Sequence, residues 1–299
     1  MQQSREEFNG LALALLCGVI LGTAVTVSRF AYDGGASGIV VAVCRSAVMS
    51  SALFVVVKLM RRSLRLPRKL IALCLVNGVL MGVMTYGNIG AIEFISVGFA
   101  ALLFFTFPAI IAVLVIVLRI EHVTALKALA LGIAFFGLAI MFGASLGNVD
   151  HRGVVLSLMG ACVTAVNAIL VGRYFKQVDP FVISLYFSAV AFVLLLFLAL
   201  TVAVVRLPVT PGGWGGILGV ALLQSVGTPL YFAAIGKIGA LKTGIVTNIQ
   251  PVTSIFEAWA LFDEMLGLLQ ALGGAIVLLS IAFMQWADLR SGGRSKSEL

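Results

Sequence analysis

Long apolar stretches separated by short polar connections fill this chain from end to end. Ten are visible, at 8–28, 38–60, 69–92, 97–119, 125–145, 153–173, 180–204, 213–236, 241–262 and 267–287. Each has about the 20 residues with which an α-helix crosses a hydrocarbon core of about 30 Å. The stretches are apolar throughout and do not alternate every second residue, so they predict membrane helices and not the strands of a barrel. The connections hold turn or charged residues, among them Asp33-Gly34-Gly35, Arg61 to Arg68, Gly147-Asn148, Asp179-Pro180 and Arg206 to Gly213. The polar ends, Met1 to Glu7 and Ser291 to Leu299, are expected to fray. The expected fold class is therefore all-α integral membrane, with ten transmembrane helices.

The second half of the pattern repeats the first at a constant offset of 143 positions. Pro108 and Glu121 correspond to Pro251 and Glu264 (108 to 251, 121 to 264). The same offset pairs Ala91, Ile92 and Ile95 with Ala234, Ile235 and Ile238, and Gly10, Leu13 and Leu15 with Gly153, Leu156 and Leu158. In an apolar chain matched Ala and Leu decide little. The Pro-to-Glu interval decides more, because the chain has only seven prolines and twelve acidic residues. Two five-span repeats follow, 8–145 and 153–287, with a tail at 288–299. Duplicated halves in a membrane protein point to a transporter that alternates access to one central site.

Composition agrees. A mean hydropathy of +1.15 with 61% hydrophobic and 11% charged residues excludes an ordinary soluble globular protein, which could not cover its surface with polar groups. The first span superficially resembles a secretory signal, with small residues at Gly22-Thr23-Ala24. Its flank sets Arg5 against Glu6 and Glu7, and its repeat partner is internal, so it is read as a span.

The net charge of +8 is explained by its distribution. With the N-terminus in the cytoplasm, sixteen of the twenty Lys and Arg fall inside, Arg29, Arg152 and Arg206 fall outside, and Arg45 lies within a span. This positive-inside bias puts both termini in the cytoplasm. Five spans per repeat is an odd number, so the halves are inverted. No nucleic-acid partner is required.

The segment Val97-Gly98-Phe99-Ala100-Ala101-Leu102-Leu103-Phe104-Phe105-Thr106-Phe107-Pro108, with Glu121 and the matching Pro251 and Glu264, resembles the drug/metabolite transporter superfamily, specifically its EamA type. The resemblance covers essentially the whole chain. It implies a multi-pass protein of the bacterial inner membrane, monomer or homodimer, that moves a small metabolite without a cofactor. An amino-acid or related exporter or exchanger is the first expectation, and an importer of a vitamin or cofactor such as riboflavin the second. The two halves depart from one another at Asn248-Ile249-Gln250-Pro251, where the first reads Phe105-Thr106-Phe107-Pro108, so the two walls of a central site are chemically unequal.

Polar groups deep in a bilayer face a cavity or another helix. Within the spans these are Arg45, Asn77, Tyr86 and Asn88, then Asn167, Tyr186, Gln224, Tyr231, Asn248, Gln250 and Glu257. Pro108 and Pro251 each free a carbonyl one turn back and bend their helices. The candidate substrate-binding set is Arg45, Tyr86, Asn88, Phe105, Pro108, Tyr231, Asn248, Gln250, Pro251 and Glu257. Arg45 lies roughly 10 Å from the outer end of its span. It either holds a substrate carboxylate or phosphate through its planar fork, snorkels outward, or pairs with a carboxylate. Glu257 carries a coupling proton, binds an amine, or pairs with Arg45. The scarcity of other acidic groups in the spans favours facilitated diffusion or exchange. Aromatic residues near the repeat motifs offer a wall for a planar substrate, while Gly18-x-x-x-Gly22 and Gly78-x-x-x-Gly82 allow close helix contact.

Other motifs carry no chemistry. Gly143-Ala144-Ser145-Leu146-Gly147 matches a hydrolase string without its strand–turn–helix context. Gly35-Ala36-Ser37-Gly38 resembles an intramembrane protease nucleophile string, yet no span contains a histidine. The four cysteines lie singly with no metal-ligand spacing, and no nucleotide-binding loop occurs. No catalytic residues, metal or cofactor are expected.

Overall fold

The computed structural model of the chain describes residues 2–92, 94–95, 97–120, 124–142, 150–201, 204–262 and 267–294. The described residues form twelve helices and no strand: α1 (Gln2–Asp33), α2 (Gly38–Leu59), α3 (Arg68–Ile92), α4 (Val97–Phe104), α5 (Phe107–Val117), α6 (Ala125–Phe142), α7 (His151–Tyr174), α8 (Pro180–Thr201), α9 (Pro211–Ile238), α10 (Ala240–Val246), α11 (Ile249–Phe262) and α12 (Leu268–Arg294). Seven segments are long and apolar enough to cross a membrane, and Ala125–Ile140 and Ala271–Met284 are shorter apolar helices. The expected polar fraying is not seen at Gln2 to Glu7 or at Ser291 to Arg294, where α1 and α12 continue as helix. Both segments extend long helices, and propagation adds one hydrogen bond per residue once a helix is nucleated.

Two of the expected spans are broken. The fourth is interrupted at Phe105 and Thr106 and the ninth at Thr247 and Asn248, so the breaks overlap at the aligned pair Phe105 and Asn248. In each, the following helix restarts with its proline within the first three residues, Pro108 in α5 and Pro251 in α11. There a missing N–H forfeits no intrahelical bond.

Local chemistry sets the other boundaries. Thr210 caps α9 by accepting from the Gly213 N–H at 3.1 Å, with Pro211 at the first helical position. Asp179 accepts from the Phe181 N–H at 2.9 Å where α8 begins with Pro180. The α2 and α5 C-termini close on Arg61 and Arg119, both at positive φ (53° and 52°), with the next residue's N–H returning to Val57 and Val115.

Asp150 caps α7, accepting from the Arg152 backbone N–H at 2.8 Å and pairing with its guanidinium at 2.8 Å. The side-chain hydrogen bond from Arg152 is the first cause holding the Asp150 carboxyl below its ordinary range. A depressed folded-state value stabilises the fold above the unfolded value and loses that contribution as pH falls through the folded one. Thermal melts of the wild type should therefore show an acid-limb step that Asp150→Asn lacks. Equal acid limbs in the two proteins would contradict this role.

Packing crosses between the two ends of the chain. The most extensive helix pairings all join an element of residues 2–142 to one of residues 150–294: α1 with α9 and α11, α2 with α8 and α9, α3 with α7 and α8, and α6 with α12. Small residues set several of these seams. A Cβ added at Gly22 would lie 2.6 Å from the Gln250 carbonyl oxygen of α11. One at Gly78 or Gly82 would meet Val190 or Leu194 of α8, at 2.4 and 2.8 Å. Large apolar side chains such as Phe136, Phe197, Leu200 and Leu279 are more than half exposed, as a lipid-facing belt requires.

Candidate functional site

Polar side chains gather on separate seams. In α2, Arg45 Nη2 donates to Thr85 Oγ1 of α3 at 3.1 Å, and Thr85 donates to the Met81 carbonyl at 2.8 Å. A guanidinium has five N–H donors. The described residues supply Arg45 with no carboxylate within ion-pair distance, and Tyr32 of α1 lies near its guanidinium. Tyr86, next along α3, packs beside Ile39, Ala42 and Leu195. Asn88 lies over Gly160 of α7, its Oδ1 3.1 Å from where a Cβ would stand.

The two broken spans meet. Phe107, Pro108 and Ile111 of α5 pack against Gly244 of α10, where an added Cβ would lie 3.3 to 3.5 Å from them. Pro108 and Pro251 are both buried. The Phe105 ring stands edge-on to Phe104 at 5.5 Å and 6.4 Å from Phe107. Asn248, in the second break, is 1% exposed and its Oδ1 has no protein partner. Tyr231 of α9 likewise has a buried, unpartnered hydroxyl. Gln250 turns its backbone carbonyl toward Gly22 of α1.

Glu257 of α11 does not pair with Arg45. Its Oε1 lies 2.6 Å from Thr23 Oγ1 of α1, and its Oε2 is buried with no protein partner. Three of the five buried unpartnered side-chain atoms among the described residues thus belong to the expected candidates Tyr231, Asn248 and Glu257. Such groups are costly at membrane depth, by several kcal/mol each, and mark where a polar solute gains most by arriving.

Other in-span polar residues are structural ties. The Asn167 Nδ2 of α7 donates to Asn77 Oδ1 of α3 at 3.1 Å, and the Tyr186 hydroxyl donates to the Leu64 carbonyl at 2.9 Å. Ser37, in the protease-like string, accepts from the Arg206 backbone N–H at 3.1 Å. Glu121, Glu264 and the Gly143 to Gly147 string lie outside the described residues, and nothing is described of the Phe99 side chain.

Two cavities open at the opposite end of α1 from Asp33. One, of about 880 Å³, is lined by Glu6, Arg62, Lys176, Asp179 and Lys237 among others; one of about 320 Å³ is lined by Val115, Arg119, Ile169, Gly172 and Arg173 with neighbours. Neither touches the ten candidates. Nearby, Lys242 Nζ meets Glu7 Oε1 at 2.6 Å and Arg62 meets Asp179 at 3.0 Å, each bridging the two ends of the chain. Sequence reasoning missed Thr23 and Thr85. No signal in the chain distinguishes them, since threonine within a helix usually satisfies its hydroxyl on its own backbone.

The backbone matches a solved structure described only as a crystal structure of protein, with a TM-score of 0.80 and 13% identity over 93% of this chain and 97% of that one. That likeness shows the fold alone. Residues 151–286 match the EamA-like transporter family. The chain therefore carries an EamA-like match in its second half, in agreement with the resemblance of its motifs. It is also 23% identical to a Bacillus subtilis (strain 168) protein described as the uncharacterized transporter YoaV, over 239 residues covering 77% of this chain and 80% of that protein. Both sequence likenesses are to transporters and neither is to an enzyme.

Proposed function

We propose that this chain is an EamA-type transporter that exports or exchanges an amino acid or a related small metabolite across the bacterial inner membrane by alternating access. Its ten spans form two inverted repeats, 8–145 and 153–287, with both termini and the 288–299 tail cytoplasmic. One observation carries the architecture: the contacts between the ends of the chain map onto themselves under the offset of 143. The α1–α9 seam corresponds to the α7–α3 seam, and α1 on α10 and α11 corresponds to α7 on α4 and α5. At residue level, a Cβ at Gly10 would strike Ile238 at 2.5 Å and one at Gly153 would strike Ile95 at 2.8 Å. These are the residues that the repeat pairs. Two related bundles around one axis are the machinery of alternating access.

The substrate class rests on Arg45. Its guanidinium, which has no carboxylate partner among the described residues, suits a carboxylate, to which Arg binds bidentately. Phe105, Pro108, Asn248, Gln250 and Pro251, where the breaks meet, form the passage, and Tyr86, Asn88 and Tyr231 border it. Counterflow into liposomes without any ion gradient tests this, using labelled amino acids with riboflavin in the same panel. Accumulation of an amino acid supports the proposal. Accumulation of riboflavin alone favours the importer reading, and failure of every amino acid overturns the substrate assignment.

A further inference from the structure

We propose that Glu257 and Thr23 together form a proton-binding site that couples transport to the proton gradient. This rests on the transport reading above. The two residues sit on α11 and α1, which pack directly although they lie 234 positions apart. The Thr23 hydroxyl has two neighbours: Glu257 Oε1 at 2.6 Å and the Val19 carbonyl oxygen one turn back at 3.0 Å.

A hydroxyl has one hydrogen and two lone pairs. When Glu257 is charged, Thr23 turns its hydrogen to Oε1. When Glu257 holds a proton on Oε1, that O–H donates to Thr23, which turns its own hydrogen back to Val19. The Val19 carbonyl needs no such bond, because it already serves the helix ladder. Both protonation states are therefore hydrogen-bonded through rotation of one hydroxyl, with no heavy atom moved. A group that loads and unloads a proton in each cycle requires this.

Two further observations favour a proton over a fixed ion pair. Oε2 is buried with no protein partner. No cation of the described residues lies within ion-pair distance of Glu257, so no fixed ion pair occupies the site. The surroundings offer no competing group. On α1, Cys17 lies six residues before Thr23, Arg29 pairs with Asp33 at 3.7 Å beyond it, Tyr32 lies in the last turn, and Arg5, Glu6 and Glu7 are at the other end. Glu257 is the only titratable residue of α11, and the described side chains of α12 include none. The proton is taken from water on the outer side in one conformation and released to cytoplasmic water in the other.

The intact protein in nanodiscs provides a readout that needs no substrate. Infrared difference spectra across pH should show the carbonyl band of a neutral carboxylic acid, absent from Glu257→Gln. Thr23→Val, which keeps the carboxyl and removes its partner, should shift that band to higher frequency, and Thr23→Ser should restore it. In proteoliposomes holding a pH-sensitive dye, the labelled amino-acid panel should move protons with wild type and not with Glu257→Gln.

A band that survives Glu257→Gln, or that Thr23→Val leaves in place, overturns the site. Net amino-acid flux down its own gradient by wild type without proton movement overturns the coupling and leaves the transport reading standing. Absence of both amino-acid flux and proton movement sinks both.

Discussion

Counterflow of a carboxylate substrate falls at least tenfold when Arg45 is replaced by alanine, and lysine restores only part of it. The expectation follows from what surrounds the guanidinium. It spends one N–H on Thr85, and among the described residues no carboxylate claims the rest. A hydrogen bond to a charged partner contributes about 1.5–3 kcal/mol, which corresponds to roughly tenfold to a hundredfold in affinity. Lysine supplies a point charge without the planar fork, so it recovers attraction and not orientation. A purely structural Arg45 gives a different result, a lower melting temperature with unchanged half-saturation. Arg45→Ala is instead expected to raise the half-saturating concentration while the melt stays near wild type. Wild-type counterflow from the alanine variant would end the assignment of Arg45 to substrate.

Gly22→Val should lower stability by overpacking the seam between α1 and α11. The added Cβ would stand 2.6 Å from the Gln250 carbonyl oxygen and 2.8 Å from Thr253 Cβ. The first neighbour is backbone, held in the turn that restarts α11, so it cannot rotate aside. Overpacking of a close contact costs about 1–3 kcal/mol. Here the displacement also separates Thr23 from Glu257, because Thr23 follows Gly22 directly on α1. Gly215→Ala is the matched control: nothing lies within 4 Å of its Cβ position in α9. There the removal of a helical glycine is worth about 0.5–1 kcal/mol in favour of the fold. Melting in detergent should place the variants on opposite sides of wild type. Equal melting temperatures would mean that the seam is looser than described.

Hydropathy made the helical stretches readable, because a continuous apolar run of about 20 residues has few alternatives in a bilayer. Pro108 and Pro251 marked where the fourth and ninth stretches deviate. They did not reveal that each helix stops four or five residues earlier and restarts, a matter of which residue takes the first turn. The glycine spacings at 18–22 and 78–82 indicated close contact but could not name the partner helices. The site was less readable. Glu257 and Arg45 stood out as charges, and their mutual pairing was one reading open to them. The fold gives each a threonine instead. Such pairings join residues 40 and 234 positions apart, and a lone threonine carries no sign of them. Asn77 and Asn167 stood out equally as polar, yet they satisfy one another.

The crossing of every major seam between the two ends of the chain has a consequence for biosynthesis. When α1, α2 and α3 have left the ribosome, their main partners α7, α8, α9 and α11 do not yet exist. At about 5–20 residues per second, translating the intervening chain takes on the order of ten seconds. During that interval the glycine-lined face of α1, Glu257's future partner Thr23 and the Arg45 guanidinium all border lipid or the insertion machinery. The early helices must therefore be held apart from other newly made chains until α9 arrives, which makes the nascent half the stage at which this protein is most exposed to mispairing and degradation.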